Sequence, residues 1–313
     1  MPKAHLHLGR AFAAALILVP ALFLARPTAA QGLPRPTLRF EGGLAAEAAF
    51  DDPPVGELAG GEAGVATSTA AVAFTLPVVL GEGHTLLFLE AGWRELHLGR
   101  RQWPAAISAD PDRLQEVSVA VTGRTMLGAD WALTARLNPL LASDFRSGGL
   151  KDGDFKIQGA VIAERSLGQR WTLGLGAAYA STFGEPLPLP LLVARFAGDD
   201  WLFDATLPSS VLVVRHLSPR VDAGMSLTAE GSLYHIPNVF PESVGIDDPQ
   251  LQYIAVHAGP VLTVRPAAPV LVTLRGGIAY QSLRVFDGTQ EIPGTNYDLE
   301  LSPFARIGVD LTF

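Results

Sequence analysis

The sequence predicts an all-β fold, an antiparallel transmembrane β-barrel of 14 strands with short periplasmic turns and longer extracellular loops. Three observations carry this. The last stretch, Ser302–Phe313, alternates: Ala305, Ile307, Val309, Leu311 and Phe313 fall on one face and Arg306, Gly308, Asp310 and Thr312 on the other. The connections alternate between long and short along nearly the whole chain: long at 51–66, short at 81–83, long at 97–114, short at 126–129. In the clearest strands charge is confined to one face, as a lipid-facing wall requires, because a mid-membrane Lys or Arg facing lipid costs roughly 2–4 kcal/mol. A soluble sandwich segregates charge in the same way, and the placement of the aromatic residues decides between the two.

The amino terminus sets the domain organisation. Lys3 and Arg10 precede an apolar run from Ala11 to Ala25, and Thr28-Ala29-Ala30 supplies small residues before Gln31. That pattern describes a secretory signal peptide over residues 1–30, cleaved after Ala30, and leaves 31–313 as a single barrel domain. Only Gln31–Thr37 then precedes the first strand, too little for a substantial plug. The chain has no Cys, which excludes a lipid anchor, disulfides and thiolate metal sites. Removing Lys3, Arg10 and Arg26 leaves 20 basic against 31 acidic residues, a net charge of −11. A nucleic-acid partner is not expected of such a chain.

Taken in order, the strands are Leu38–Phe50, Thr67–Leu80, His84–Glu95, Gln115–Thr125, Asp130–Asn138, Asp154–Arg165, Gln169–Ser181, Leu189–Ala197, Trp201–Leu207, Ser210–Leu217, Val221–Tyr234, Leu251–Val264, Pro269–Ser282 and the last strand. Gly and Pro punctuate most of the breaks, and residues 286–297 read as a final loop. If the short Trp201–Leu217 pair does not cross, the count is 12, with parity unchanged. An even count puts both chain ends on the periplasmic side. Trp131, Trp171, Trp201 and Phe313 then lie at the periplasmic rim, and Phe155, Tyr179 and Tyr280 at the outer rim. The eight residues from Trp171 to Tyr179 span about 20 Å of membrane at ordinary strand tilt, close to the ~25 Å apolar band.

Two resemblances add to this. The terminal alternating strand closed by an aromatic residue, with Ala305, Ile307, Val309, Leu311 and Phe313 on its apolar face, resembles the sorting signal of bacterial outer-membrane barrels. It implies outer-membrane lipid and the barrel-assembly machinery as partners. Residues 187–234 carry Pro190 in an apolar strand, Trp201 opening the next, Leu207-Pro208 ending it, and Gly231 with Tyr234 in the following long strand. This region resembles an uncharacterised domain-of-unknown-function family of Gram-negative outer-membrane barrels. The resemblance implies the outer membrane of a Gram-negative bacterium and brings no activity with it.

The chemistry-bearing residues point to a lumen rather than to catalysis. No Gly-x-Ser-x-Gly elbow occurs, and Ser210 and His216 are too far apart on one strand to touch, so the chain is not read as an enzyme. The acidic pairs 51–52, 199–200 and 247–248 lack the spaced oxygen ligands of a calcium loop and read as solvated turns, so no metal or cofactor is expected. The polar faces carry Arg39, Glu41, Glu47, Glu90, Arg94, Glu116, Arg124, Arg136, Lys156, Glu164, Asp204, Asp222, Glu230, His257, Arg275, Arg306 and Asp310, all expected to line the lumen. So many mixed charges imply either a hydrated interior or ion pairs across a closed one. The first reading is a passive channel or transporter for small solutes. The alternative is a closed, non-conducting barrel with a binding or surface role, sealed by salt bridges or by an inward-folded loop such as His97–Leu114. An outer-membrane hydrolase comes third. Segments 51–66, 235–250 and 286–298 contain acidic residues and no Lys or Arg, and as loops would draw cations toward an opening.

Overall fold

The computed structural model of the chain describes residues 34–49, 64–81, 85–100, 112–146, 149–180, 187–237 and 246–313. The expected signal peptide, the segment 51–63 and most of the proposed 97–114 loop lie outside the described residues. Fourteen strands close a barrel in sequence order: β1 Thr37–Ala49, β2 Gly64–Leu80, β3 Thr85–Arg100, β4 Arg113–Met126, β5 Trp131–Ser143, β6 Phe155–Leu167, β7 Trp171–Ala180, β8 Leu187–Ala197, β9 Trp201–Leu207, β10 Ser210–Ser218, β11 Val221–His235, β12 Pro249–Ala267, β13 Val270–Asp287 and β14 Gln290–Thr312. The ladder is antiparallel throughout and closes where β14 pairs with β1, from Thr37 opposite Thr312 to Ala45 opposite Phe304. Among the described residues no helix is long and apolar enough to cross a membrane; this chain crosses with strands.

The outward face is apolar. Val119, Val121, Leu137, Val161, Leu175, Leu192, Met225, Leu227, Ile278 and Ile307 alternate with inward polar residues and are 41–67% exposed. A continuous belt of that kind is untenable in water and is what hydrocarbon requires. Trp131, Trp171, Trp201 and Phe313 stand exposed at the turn end of the barrel, with Arg165 over Trp131 and Arg215 over Trp201. Phe155 and Tyr179 stand exposed toward the loop end. Tyr280 does not finish its strand, because β13 runs seven residues past it.

The 286–297 segment is not a loop. β13 and β14 meet in a tight turn at Gly288, with φ of +58°, and Phe286 pairs with Glu291. The Pro and Gly that suggested a break sit where the register shifts between Phe286/Glu291 and Arg284/Asn296, and the Thr295 hydroxyl donates to the Ile292 carbonyl there. The punctuation marks a bulge, which bends a strand without ending it. β9 and β10 do pair, from Arg215 opposite Trp201 to Ser210 opposite Thr206, so the count is 14 and not 12.

Strand length is uneven around the barrel. β9 and β10 have 7 and 9 residues, whereas β12, β13 and β14 have 19, 18 and 23. At the loop end the long strands lean inward. Ser232–His235 and Pro249–Tyr253 are buried at every consecutive position, so both of their faces are covered. His235 reaches Ser143 at the end of β5, six strands away along the sheet. Further down these strands, the β12–β13 ladder is interrupted between Ala258/Ile278 and Val261/Arg275. Gly277 there has φ of +141°, and a Cβ on it would lie 2.2 Å from the Ala258 carbonyl oxygen.

Replacing Gly277 with Ala should therefore cost about 1–3 kcal/mol through backbone strain and forced separation of β12 from β13. Gly308→Ala, whose Cβ would meet nothing nearer than 3.9 Å, should be close to neutral. Urea titration of the heat-modifiable folded band on a gel compares the two, and equal midpoints would contradict the role assigned to Gly277.

Candidate functional site in the barrel interior

The interior is built in two storeys. In the loop-end storey, inward-facing Leu96 and Leu98 of β3, Leu114 of β4 and Leu140 of β5 pack against Tyr234 of β11, Leu251 and Tyr253 of β12, Leu283 of β13 and Leu299 of β14. These side chains come from opposite walls, so they fill the lumen as a core fills a sandwich. Each buried Leu contributes roughly 1.5–3 kcal/mol, which explains why this half collapses and does not stay wet. Thr67 of β2 donates to Gln281 of β13 at 2.8 Å, and Tyr253 donates to the same Gln281 oxygen at 3.1 Å. The part of the proposed His97–Leu114 loop from 101 to 111 lies outside the described residues, and among the described residues the apolar packing comes from strands. β3 continues to Arg100 and β4 resumes at Arg113, and the tops of β11–β14 do the closing.

Beneath this core lies a charged cluster. Glu230 of β11 meets Arg94 of β3 at 2.8 Å and is also gripped by both terminal nitrogens of Arg306 of β14. Because β3 and β11 are not neighbours, the Arg94–Glu230 contact crosses the interior. Arg306 also lies 3.5 Å from Glu41 of β1 and donates to His257 Nε2 at 3.3 Å. An arginine cannot accept, so His257 carries its lone pair on Nε2; its ring stacks edge-on against Phe304. Arg275 stands opposite Arg306 in register, and its Nε is buried without a partner. One turn above Glu230 on the same strand, the Ser232 hydroxyl donates to Glu116 of β4 at 2.8 Å, a second bond across the lumen.

The turn-end storey is polar and wet. Glu164 of β6 accepts from Arg124 of β4 and Arg195 of β8, both at 2.7 Å, and Arg195 also faces Asp204 of β9 at 3.3 Å. Asp222 of β11 is shared by Arg265 at 2.6 Å and His216 Nδ1 at 2.7 Å. Arg136 pairs with Glu90 at 2.7 Å, and Arg39 with Asp310 at 2.6 Å across the β1–β14 closure. The side chains of Arg124, Arg136, Arg195 and Arg265 keep 36–42% exposure although they point inward, which is the mark of a hydrated vestibule.

Of the residues expected to line the lumen, Glu41, Arg94, Glu230, His257 and Arg306 come together in one cluster, with Arg275 beside it. Arg39, Glu90, Arg124, Arg136, Glu164, Asp204, Asp222 and Asp310 form separate pairs and short chains lower down. Lys156 reaches Gln250 near the loop end at 2.7 Å, and Glu47 lies beside Gly64 at the top of β1. The site list read from sequence omitted Arg195, His216 and Arg265, although each shares the inward parity of its neighbours. It also contained no apolar interior. The available signal was that the inward, odd-numbered positions of β12 turn apolar at Leu251, Tyr253 and Ala255, where lower positions carry His257 and Arg265.

A third group lies at the loop end, where β11 touches β5. The His235 ring faces Asp154 Oδ1 at 2.7 Å through Nδ1 and Asp248 at 3.4 Å through Nε2. The Ser143 hydroxyl donates to the His235 carbonyl and not to its ring, so this is a brace and not a nucleophile–base pair. Asp248 is thus more than the solvated turn residue its sequence context suggested. Burial pushes the Asp154 carboxyl up, but hydrogen bonds from the Lys151 amide and from His235 outweigh it and leave it below its ordinary value of 3.8. Asp144, the residue immediately after β5 in the same corner, is pushed up by burial. Among the described residues no group of three or more His, Asp or Glu side chains is arranged to hold a metal ion.

Fold and interior together define an outer-membrane β-barrel whose described interior is apolar and packed toward the loops and lined by solvent-accessible charged side chains toward the turns. The chain belongs to the family described as a domain of unknown function (DUF6268), which matches residues 97–259, just over half of its length. No curated protein matches it. Among solved structures it is similar to the COG4313 outer-membrane channel of Pseudomonas putida F1, with 8% identity and a TM-score of 0.44 over 92% of this chain and 100% of that one. It is also similar to a FadL homologue of Pseudomonas aeruginosa, with 9% identity and a TM-score of 0.43 over 89% and 90% of the two chains.

The depressed Asp154 carboxyl has a consequence for stability. Its contribution is present above pH 3.8 and is lost as pH falls through its lower folded value, while Asp144 works in the opposite sense. Between pH 6 and pH 3 the urea midpoint of the wild-type barrel should fall by more than that of Asp154→Asn. Parallel curves for the two proteins would remove Asp154 from the account.

Proposed function

We propose that this protein is exported through a signal peptide cleaved after Ala30, is inserted by the barrel-assembly machinery through its terminal strand, and serves in the outer membrane as a conduit for small solutes. The observation that carries the conduit reading is the vestibule. Inward arginines with more than a third of their surface accessible are kept wet, and a wet charged chamber serves no purpose in a barrel held together by packing alone. Above it, the conformation is closed. A solute crossing along the axis must part Glu230 from Arg94 and separate the apolar walls.

A second reading, a non-conducting barrel with a binding or surface role, is favoured by that same closure, since an apolar core and an ion cluster are stacked in series across the lumen. Planar-bilayer recording of residues 31–313 separates the two. The wild-type barrel should show infrequent openings. Glu230→Gln leaves Arg94 and Arg306 without their shared anion, weakening closure, and each ~1.4 kcal/mol lost should raise the open-to-closed ratio about tenfold. A heat-modifiable barrel that conducts in neither form would remove the axial route for ions and hydrophilic solutes and favour a barrel closed along its axis.

A further inference from the structure

The barrel wall is not hydrogen-bonded over its full height. The β9–β10 hairpin ends at Pro208-Ser209, and seven residues at ordinary rise and tilt reach roughly 18 Å, short of the ~25 Å apolar band. The β8–β9 ladder begins at Leu192 opposite Leu207, so Leu187–Leu191 rise past the hairpin with no ladder partner on that side among the described residues. The β10–β11 ladder ends at Ser210 opposite Thr228, so Ala229–Tyr234 do the same, until His235 meets Ser143. Among the described residues β8 and β11 form no ladder with each other. A seam therefore runs up the wall through the outer leaflet.

The sequence treats this seam as a permanent edge. The Ala197 amide donates to Arg170, which turns the odd-numbered amides of β8 toward β7 and the even-numbered ones toward β9. Above the hairpin the even positions are Pro188 and Pro190, which have no amide hydrogen to leave stranded in hydrocarbon. On the facing strand the Ala229 amide donates to Ser209, so Gly231 and Leu233 turn their main-chain groups to the seam. Open edges at membrane depth persist only where they are buried or line a cavity. No charged residue occurs in Leu187–Val193 or Gly231–Tyr234. The inward side chains of β8 here are Leu189, Leu191 and Val193, and on the lipid side an apolar groove of about 670 Å³ leads past Leu137, Val161, Ala177 and Tyr179 to Pro188 at the lip. Pro190, Leu207-Pro208 and Gly231, the residues that stood out in the sequence, border this seam.

We propose that the seam between β8 and β11 is a lateral passage through which uncharged, largely apolar small molecules move between the barrel interior and the outer leaflet. The axial route is closed by packed side chains and ion pairs, whereas the seam parts without breaking a backbone ladder. The main-chain groups that Gly231 and Leu233 turn to the seam, which join no ladder there among the described residues, offer a polar end of such a molecule a hydrogen bond. This rests on the conduit reading and names its solute class and its route.

The chain has no cysteine, so single labels can be placed directly. Bimane is attached to Leu189→Cys or, as a second seam position, Leu191→Cys, and to the control Thr122→Cys, which faces inward in β4 with ladders on both sides. Each variant is confirmed as heat-modifiable and reconstituted in vesicles of phosphatidylcholine carrying brominated acyl chains. Lipid chains that enter the seam should quench the labels at 189 and 191 at least about threefold more than the label at 122. Equal quenching at the three positions would overturn the lateral passage. Bilayer conductance of the unlabelled barrel is scored separately: conductance without seam quenching leaves an axial conduit and removes the seam, and seam quenching without conductance keeps the passage while removing the ionic path.

Discussion

Glu230 is the residue on which the closed interior depends. A carboxylate enclosed among arginines from β3 and β14 ties three strands that the sheet order keeps apart, and it does so where water is being excluded. Removing such an anion is expensive, about 3–5 kcal/mol, because its two cations remain behind without it. The apolar core above and the vestibule below meet at this level. The core needs the walls drawn together and the vestibule needs them apart, and the cluster marks the boundary between the two.

That arrangement gives one protein two interiors with different physics. Near the turns, the short strands of one wall and the charged strands of the other enclose water, and the pairs there are exposed enough to contribute little individually to stability. Near the loops, the barrel behaves as a sandwich, with β11–β14 and β1–β5 as facing layers. The end of β11 is fastened there: His235 pairs with Ser143 of β5, and its ring faces Asp154 and Asp248.

Much of this was legible in the sequence, and the parts that were not have identifiable causes. The strand count, the face that meets lipid and the closure by the terminal strand follow from a period of two, which a barrel imposes on every strand. The inward charges follow from the same parity. The collapsed half did not, because Pro249–Tyr253 and Ser232–Ile236 are covered on both faces and a two-sided strand carries no alternation to read. The β13–β14 hairpin reads as a loop in the sequence because Gly288, Pro293 and Gly294 mimic punctuation, whereas this segment forms a turn and a bulge. Pairing partners such as Arg94 with Glu230 join positions 136 residues apart, and parity says only that both face inward.

The unequal strand lengths bear on the membrane as well as on the protein. A wall of 7 residues stands in the same annulus as one of 23. The bilayer must meet both, and lipids beside the short wall must shorten, tilt or splay to cover what the strands do not, at a cost of fractions of a kcal/mol per Å of mismatch. The barrel thus creates a thin, strained patch of outer membrane at a fixed azimuth on its own circumference. Its neighbours in the membrane, lipid or protein, are sorted by that patch as much as by any surface it presents to water.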